Sequence, residues 1–588
     1  MQSSGLVIDS HAARAVMRAQ WDVEIVMDDG VTLRADVYLP IGEGPWPVLL
    51  SHGPYAKGLS FQQAYPSAWK VLEDRHAESL AGSSNLFQAW EVVDPERWCQ
   101  WGYVCVRVDS RGAGRSEGII DCWSARETVD FAACIEWAGE QEWSSGKVGL
   151  SGISYFAINQ WQVASLQPKY LAAICAWEGG ADFYRDASHH GGIYSSFLAN
   201  WYDMQVKTVQ HGLGDRGPRS VVHGDTVCGP ETVSDAELAA TRSDFGAEFW
   251  NHSVDDGWYA ARRPDWSRIQ VPLLSSGNWG GQGLHPRGNT EGYVQAASRD
   301  KWLEMHGLSH WEHYYSTYGM QLQKDFFDYY LKDVKNGWDS RRRVQLLVRH
   351  PDKFVQRSED EWPIARTEYR SFSLGTLQQL TESAAEEDGA LVCDVEGEGL
   401  TFMTAPLEAE LEITGHPRLD LTISSAGADA DVFVVLRVFD PQGVELVFQG
   451  ALDPHTPVGQ GWLRASHRAI DHSRTRPERP YHPHTAASLQ PLKAGVPVEL
   501  EIEIWPTCIV VPKGWRIGLS VRGRDYEWDG PPARLSNLKN PLRGCGPFLH
   551  DAPQDVESRK LWGNFKVHVG SLHASKLTLP VIPAKGGG

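Results

Sequence analysis

Short apolar runs alternate with segments of helical spacing through the first third of the chain. Residues 47–53 (ending in a glycine loop), 103–109, 148–150 and 171–176 are predicted strands, and residues 125–138 have the apolar spacing of an amphipathic helix. A hairpin over residues 23–39 turns at Asp28-Asp29-Gly30. The alternation resumes with strands at 271–277 and 301–305 and a helix at 321–332. Strands that alternate with helices indicate an α/β core around a parallel sheet.

The pattern changes twice along the chain. Between residues 182 and 264 the strand runs stop, and aromatic, helix-compatible segments (194–202 and 237–249) stand between loops rich in Gly, Pro and Asp. After residue 338 the sequence is rich in strands (344–348, 411–413, 419–423, 432–438, 498–504 and 515–521). We therefore predict an α/β core over 1–181 and 265–340, an inserted helical cap over 182–264, and a β-sandwich of jelly-roll type over 341–588.

Composition excludes several classes of partner. The 588 residues carry 55 basic and 75 acidic side chains, a net charge of −20, which argues against nucleic acid. The nine cysteines form no Cys-x-x-Cys pair, and several that lie in apolar segments (Cys105, Cys134 and Cys175) are predicted to be reduced and buried. Neither a leader peptide nor a membrane-spanning run is expected, so the predicted location is the cytoplasm. No cofactor motif is found. Oligomeric state stays open, with a homo-oligomer among the options.

Residues 147–160 have the pattern of a strand, a sharp turn and a helix. Gly152-Ile153-Ser154-Tyr155 forms the predicted turn, which would display the Ser154 hydroxyl at the carboxyl end of the sheet. Other Gly-x-Ser triplets occur, and Phe156 replaces the closing glycine of Gly-x-Ser-x-Gly, so an ordinary turn is the alternative interpretation. A candidate histidine far downstream favours a nucleophile.

The histidines near residue 310 offer two interpretations. His306 and His310 have the spacing of metal ligands on a helix. Gly307 and Leu308 directly follow a predicted strand, however, which disfavours a helix, and no third ligand is evident. We therefore predict a base rather than a metal site. His52 and His285 are interpreted as loop residues, and Asp109 and Arg111 as structural groups beside the serine turn.

Taken together, several motifs resemble one known family. They are residues 27–40 (MDDGVTLRADVYLP), 54–57 (PYAK), 109–118 (DSRGAGRSEG), 152–155 (GISY), 307–310 (GLSH), the helix from Phe326 to Asp333, and 461–468 (GWLRASHR). The chain resembles the cocaine-esterase-like (CocE/NonD) branch of the X-prolyl dipeptidyl-peptidase hydrolases over nearly its whole length.

The resemblance implies both a fold and a set of catalytic roles. It implies an α/β-hydrolase core, a helical cap and a jelly-roll domain, with ester or amide hydrolysis through an acyl-enzyme and no cofactor. Ser154 corresponds to the nucleophile and His310 to the base. The Tyr55 hydroxyl and the Tyr155 backbone N–H correspond to the oxyanion donors, which are the groups that a tetrahedral intermediate requires.

The sequence departs from the family at the triad acid. The family carries aspartate in a Gly-aromatic-aromatic-Asp-Gly context, and this chain has Gly280 at that position. Without an acid the imidazole loses its orientation and charge compensation. We predict that Glu178, after the strand that follows the serine turn, supplies the carboxylate; capping of the Gly179-Gly180 turn is its alternative role. Asp182 and Glu291 are weaker candidates, and Asp182 is interpreted as a partner of Arg185.

The sequence therefore predicts a serine hydrolase that cleaves a small-molecule ester or amide. An X-prolyl dipeptidyl aminopeptidase and an acyltransferase would use the same groups, although no motif for binding a substrate α-amine can be identified. A non-catalytic binding protein, suggested by Gly280, is the alternative from another class. Aromatic residues of the cap suggest an apolar or aromatic acyl pocket, with a packed aromatic core as the alternative; they are Phe183, Tyr184, Tyr194, Phe197, Trp201 and Tyr202.

Overall fold

The computed structural model describes residues 16–385 and 387–583. The predicted leader-free N-terminus lies outside these residues. The strands up to residue 359 are β1 (Met17–Val26), β2 (Thr32–Pro40), β3 (Trp46–Gly53), β4 (Val104–Asp109), β5 (Ser144–Ile153), β6 (Leu171–Trp177), β7 (His189–His190), β8 (Ile193–Tyr194), β9 (Leu273–Asn278), β10 (Lys301–His306), β11 (Val344–Arg349) and β12 (Phe354–Glu359).

Ten of these strands form one sheet in the order β1-β2-β4-β3-β5-β6-β9-β10-β11-β12. The strands from β4 to β11 in this order pair in parallel, while β1, β2 and β12 are antiparallel additions at the edges. Parallel pairing brings the carboxyl ends of β5, β6, β9 and β10 to one edge, which is where ligand chemistry is expected. The predicted α/β core is confirmed.

Most helices lie on the two faces of this sheet or in the cap, and the last one lies in the C-terminal part. They are α1 (Phe61–Ala64), α2 (Pro66–Arg75), α3 (Ala77–Leu80), α4 (Pro95–Gln100), α5 (Ala125–Glu140), α6 (Tyr155–Leu166), α7 (Phe197–Trp201), α8 (Asp235–Ala240), α9 (Phe245–Asn251), α10 (Gly257–Ala260), α11 (Pro286–Gln295), α12 (Glu312–Tyr315), α13 (Thr317–Lys332) and α14 (Pro553–Trp562).

The helical cap is confirmed, but its helices are shorter than the pattern predicted. The segment 194–202 begins at Tyr194, the last residue of the short β7–β8 ribbon, and its helix α7 starts only at Phe197. The segment 237–249 divides into α8 and α9 because the side chain of Asp244 caps a new helix by accepting from Ala247 N. Helical spacing alone does not reveal this second start.

The C-terminal part is a β-sandwich. Its strands are β13 (Glu368–Leu374), β14 (Leu380–Thr381), β15 (Gly389–Cys393), β16 (Leu400–Met403), β17 (Leu411–Gly415), β18 (Arg418–Ser425), β19 (Asp431–Phe439), β20 (Gly459–Arg464), β21 (Val498–Glu503), β22 (Thr507–Val511), β23 (Arg516–Arg522), β24 (Phe565–Val569) and β25 (Lys576–Ile582). Antiparallel sheets of nine and four strands enclose an aliphatic core, to which Leu421 and Leu436 contribute from opposite sheets.

The strand at 344–348, which the sequence pattern assigned to the sandwich, belongs to the main sheet. It is part of β11, which pairs in parallel with β10. A strand that is buried on both faces has a continuous apolar sequence, and many sandwich strands have a similar sequence, so the pattern alone does not distinguish them. The buried guanidinium of Arg349, at the end of β11, donates to Cys508 O (2.7 Å) and Val458 O (3.1 Å) and so ties the sheet to the sandwich.

All nine cysteines are buried free thiols. Within the described ranges, no helix combines the length and the apolar character needed to cross a bilayer.

Candidate active site

Ser154 occupies the sharp turn between β5 and α6. Its backbone has φ 56° and ψ −110°, a left-handed conformation that L residues adopt at a cost. The turn is tight: a Cβ on Gly152 would lie 2.3 Å from Cβ of Phe156, so only glycine fits there. The side chain of Ser154 is partly exposed and makes no hydrogen bond to a described residue. This geometry presents a free hydroxyl at the edge of the sheet.

Phe156 stands where the serine motif usually has its closing glycine, and Gly53 on β3 leaves space for the Phe156 ring. The ring of Phe156 packs over β3, where a Cβ on Gly53 would lie 2.6 Å from Cε1 of Phe156. The helix also approaches β6 closely, since a Cβ on Gly179 would lie 2.9 Å from Cβ of Ala157. Small residues at these contacts replace the function of the usual glycine.

His310 lies in the loop after β10 and is held by the sandwich. Its backbone N–H donates to the Ala451 carbonyl at 2.8 Å. Leu308, two residues earlier, has φ 71°, which turns the chain away from the strand direction. The sandwich therefore takes part in forming the site.

Glu178 contacts the imidazole of His310 from the sheet side. Glu178 Oε2 lies 2.7 Å from His310 Nδ1, and both side chains are buried. Glu178 follows β6 with φ 49°, and its backbone N–H donates to Ser276 O of β9. Its other oxygen accepts from His306 Nε2 (3.0 Å) and Asn278 Nδ2 (3.3 Å). The carboxylate is thus held by three donors.

A side chain at Gly280, the position of the family's aspartate, has no space. A Cβ there would lie 2.4 Å from Cα of Gly450 in the sandwich. The two loops meet backbone to backbone, with Ala451 N donating to Gly280 O at 3.0 Å. The close approach that excludes the acid from Gly280 involves the same sandwich loop that holds His310.

Glu91 contacts the opposite side of the imidazole, and sequence reasoning missed this residue. Its Oε1 lies 2.8 Å from His310 Nε2, the nitrogen that a base would turn toward Ser154. Glu91 has φ 63°, and its carbonyl accepts from Ile153 N (3.0 Å), which fixes it beside the serine turn. The available signal was a single charged residue within the apolar run from Phe87 to Val93.

The two carboxylates set the protonation state of the ring. Burial disfavours the imidazolium, but Glu178 and Glu91 outweigh it and raise the pKa of His310 to about 10. Burial also opposes the charge of Glu178, yet two imidazoles hold the pKa of this carboxyl well below its usual range. For Glu91, burial exceeds the effect of its bond to His310, so the pKa of Glu91 is raised. His310 is therefore protonated at neutral pH while Glu91 contacts it.

Two hydrogen-bond donors stand near the serine turn. The Tyr55 oxygen accepts from Trp201 Nε1 (3.0 Å), which leaves the Tyr55 hydroxyl proton available. The N–H of Tyr155, at the first position of α6, makes no hydrogen bond to a described residue. The Tyr155 side chain points away and donates to Glu127 (2.7 Å), so only its backbone faces the site. Sequence reasoning gave no role to Trp201 in holding Tyr55.

Ser154, His310, Glu91 and Tyr55 line one cavity. Most of its other walls are apolar or aromatic, from Trp90, Trp123, Ile158, Phe183, Ala187, Phe197, Leu198, Trp201, Leu284, Ala451, Leu452 and Phe548. Of the six predicted cap aromatics, three line this cavity and the others are buried in the adjoining aromatic core.

The weaker acid candidates bind arginines instead. Asp182 pairs with Arg185 (2.9 Å), as predicted. Glu291 pairs with Arg479 (3.0 Å) and Arg476 in the interface with the sandwich.

The remaining candidates have structural contacts. Asp109 accepts from Lys57 N (2.6 Å) and Arg115 N (2.9 Å) and so orders the loops beside the site. Arg111 pairs with Asp130 (2.7 Å).

The interpretation of His52 and His285 as loop residues is wrong in one case and incomplete in the other. His52 lies within β3, where its ring stacks on Phe131 at 5.0 Å, because the strand continues through Ser51-His52-Gly53. His285 precedes α11, and its ring stacks on that of His310 at 5.2 Å. Burial and the neighbouring imidazolium lower the pKa of His285 to about 3, so His285 is a neutral wall of the site.

One group of side chains has the spacing of a metal site. Glu178, His285 and His310 offer ligand atoms within 4.8 Å of one another. Both ring nitrogens of His310 are, however, hydrogen-bonded to carboxylates. These two bonds leave no ring nitrogen of His310 free to bind a metal ion.

Comparison with known proteins identifies similar sequences and structures. The profile of the X-Pro dipeptidyl-peptidase (S15 family) matches residues 29–373, and that of the X-Pro dipeptidyl-peptidase C-terminal non-catalytic domain matches residues 336–544. A CocE/NonD family hydrolase from Staphylococcus aureus is 28% identical, with a TM-score of 0.79 over 96% of this chain and 94% of that chain.

Two further proteins are similar at lower coverage or identity. Cocaine esterase from Rhodococcus sp. (strain MB1 Bresler) is 26% identical over 394 residues, which cover 60% of this chain and 62% of that protein. The structure of an α-amino acid ester hydrolase has a TM-score of 0.65 over 99% of both chains, at 17% identity, and so shares the fold.

Proposed function

Because the chain belongs to the X-Pro dipeptidyl-peptidase (S15) family and is a serine hydrolase, we propose that Ser154 attacks the carbonyl carbon of a small-molecule ester or amide. One observation carries the proposal: Ser154, His310 and Tyr55 line a single cavity, and a carboxylate lies 2.7 Å behind the imidazole. A nucleophile, a base with an orienting acid, and oxyanion donors are the components that acyl transfer requires.

The proposed reaction has two halves. His310 Nε2 takes the proton of Ser154 as Oγ bonds to the carbonyl carbon, and Glu178 compensates the imidazolium through Nδ1–H. The Tyr55 hydroxyl and the Tyr155 N–H donate to the oxyanion. The carbon–oxygen or carbon–nitrogen bond then breaks, and the leaving group takes the proton from His310. Water repeats the sequence on the acyl-enzyme and releases the acid.

The resting contact between Glu91 and His310 must open before the first step. His310 Nε2 is within 2.8 Å of Glu91 Oε1 and is protonated in that state, so it cannot accept a proton from Ser154. Oε2 of Glu91 is buried without a hydrogen-bond partner among the described residues. Glu91 is therefore less firmly held than Glu178, and we propose that it moves away when substrate enters.

The nucleophile is tested with a fluorophosphonate probe on the full chain. We expect labelling and aryl-ester hydrolysis in the wild type, and loss of both in Ser154→Ala. The matched control is Ser473→Ala, an exposed serine of the sandwich region, which should keep both. Persistent labelling of Ser154→Ala would overturn the proposal.

The apolar walls of the cavity favour an apolar or aromatic acyl group. We expect phenyl or nitrophenyl esters of apolar acids to be cleaved with higher kcat/KM than esters of short polar acids.

An aminopeptidase is the second candidate, because Glu91 is an acidic group that can bind a substrate α-amine, for which the sequence showed no motif. Its carboxyl lines the cavity and could accept a substrate ammonium group. Higher kcat/KM on an X-prolyl p-nitroanilide or an amino-acid ester than on its deaminated analogue would favour this function.

Acyl transfer would be detected as a new ester or amide when an alcohol or amine is added. The non-catalytic alternative is set aside because the chain is a serine hydrolase.

The cytoplasmic location is part of this proposal. Its support is the burial of nine free thiols, which suits a reducing compartment. Cell fractionation tests it.

A further inference from the structure

A second histidine continues the hydrogen-bonded chain behind Glu178. His306 Nε2 lies 3.0 Å from Glu178 Oε1, and His306 Nδ1 lies 2.8 Å from Glu304 Oε2. Glu304 in turn accepts from Ser276 Oγ at 2.6 Å. The resulting order is Glu304, His306, Glu178, His310 and Glu91, with every member buried. Acids and imidazoles alternate without interruption from the sheet interior to the cavity.

The backbone explains how one strand end supplies both imidazoles. His306 is the last residue of β10, and His310 follows after the turn at Gly307 and Leu308. Glu178 enters between them from the end of β6, which is separated from β10 by β9, and its left-handed backbone aims the side chain at both rings. A glutamate at this position can therefore accept from two histidines at once, one with each oxygen.

The other groups that face His306 are uncharged and do not offset its positive charge. The Trp177 ring lies 5.2 Å away and the His313 ring 4.8 Å away. Burial and the charge of His306 lower the pKa of His313 to about 3, so His313 is neutral. Ser276 Oγ is 3.3 Å from Nδ1.

Around Glu304, the Tyr318 hydroxyl approaches Oε1 at 3.5 Å. Burial opposes a charge on His306, but Glu304 and Glu178 outweigh it and raise the pKa of His306 to about 9. His306 is thus an imidazolium at neutral pH.

A positive charge at His306 changes what Glu178 does to His310. A full carboxylate charge on one side of His310 stabilises its protonated form, and Glu91 adds to this from the other side. An imidazolium that shares Glu178 offsets part of that carboxylate charge. His285, which stacks on His310, is neutral and does not substitute for it.

We propose that His306, held by Glu304, is a positioning residue that fixes Glu178 and offsets part of its charge, so that His310 becomes a free base at a lower pH. The inference rests on the proposed function, since it assigns His310 as the base. His306 touches neither substrate nor Ser154 in this arrangement and acts only through Glu178.

The test measures kcat/KM for an aryl ester against pH. The acidic limb of this profile reports the ionisation of the free base. His306→Gln keeps a donor for Glu178 but removes the charge, and we expect the limb to move upward by about one pH unit. Because this variant leaves Glu304 buried without a cation, it is paired with the double variant His306→Gln/Glu304→Gln, which removes both charges. The double variant should fold and move the limb in the same direction, since His306 contacts Glu178 directly, whereas Glu304 is linked to it only through His306.

His472→Gln, which changes an exposed histidine, is the matched control and should leave the limb in place. A limb that stays in place, or moves downward, in the folded double variant would overturn the inference, even if the rate falls. Fluorophosphonate labelling separates the two levels of the proposal. If Ser154→Ala still labels, the proposed function fails. If labelling depends on Ser154 and the limb does not move, only the role of His306 fails.

Discussion

Two glutamates hold the same imidazole from opposite sides, and their surroundings differ. Glu178 contacts His310 Nδ1 at 2.7 Å, and its other oxygen accepts from His306 and Asn278. Glu91 contacts Nε2 at 2.8 Å, and its other oxygen has no partner among the described residues. The two contacts have nearly equal lengths, but one carboxylate is held by three donors, and the other mainly by the His310 ring with a weaker contribution from Trp90.

This difference separates a permanent partner from a removable one. A buried carboxylate with several donors loses much free energy if it moves, whereas one with a single partner loses little beyond that bond. The pKa directions agree, because the imidazoles lower the pKa of Glu178 and burial raises that of Glu91. The first is suited to orient a base throughout a reaction, and the second to leave the nitrogen on which the reaction depends.

The largest expected effect follows from neutralising the fixed partner. Glu178→Gln removes the compensating charge from Nδ1–H, and we expect kcat/KM for an aryl ester to fall by about 10³–10⁴-fold. The fold should persist, since glutamine fills the same volume. Glu557→Gln, an exposed glutamate of α14, is the matched control.

A rate within threefold of wild type in folded Glu178→Gln would exclude Glu178 from the triad. It would also remove the physical distinction drawn between the two carboxylates.

Neutralising the removable partner should have a smaller effect of opposite sign. Glu91→Gln replaces a charge-assisted bond of about 1.5–3 kcal/mol with a weaker one, so Nε2 becomes free more readily. For an uncharged aryl ester near pH 7 we expect kcat/KM to rise by up to about tenfold, with the acidic limb moved to lower pH. The measurement is the same pH profile, with Glu557→Gln alongside. A loss of a hundredfold or more would instead make Glu91 part of the catalytic machinery.

The fold and the serine turn could be read from the sequence because they follow from local patterns. Apolar strands, helical spacing and the Gly152–Tyr155 turn depend on neighbours in the chain. Glu178 could be proposed because the carboxyl ends of parallel strands share one edge, so a side chain after β6 reaches the loop after β10.

What the sequence could not reveal depends on contacts between distant segments. Glu91 lies in an irregular loop, and only tertiary packing shows that it meets His310, 219 residues later. The exclusion of a side chain from Gly280 depends on Gly450 in another part of the fold. His306 was weighed only as a metal ligand, because its spacing to His310 was visible and its contact with Glu178 was not.

The smallest expected effect is on stability, and it again separates the two carboxylates. The pKa of His310 rises from an ordinary value of about 6.5 to about 10 in the folded chain, chiefly because its carboxylate partners outweigh burial. A group that binds its proton more tightly when folded stabilises the fold fully below the unfolded pKa, and this stabilisation is lost as pH rises toward the folded pKa. The melting temperature should therefore fall between about pH 6.5 and 10, and His306, with a pKa of about 9, adds to that fall.

Glu91→Gln removes one of the carboxylates that raise the pKa of His310, so its melting temperature should depend less on pH. A change of one pKa unit corresponds to about 1.4 kcal/mol, and for a chain of 588 residues we expect the decline over this pH range to be smaller by about 1–2 °C than in wild type. Thermal unfolding at closely spaced pH values measures it, with Glu557→Gln expected to follow wild type. If the melting temperatures of Glu91→Gln and wild type depend on pH in the same way, Glu91 does not raise the pKa of His310. The contact between Glu91 and His310 would then not be strengthened by charge, and the proposed difference between the two carboxylates would fail.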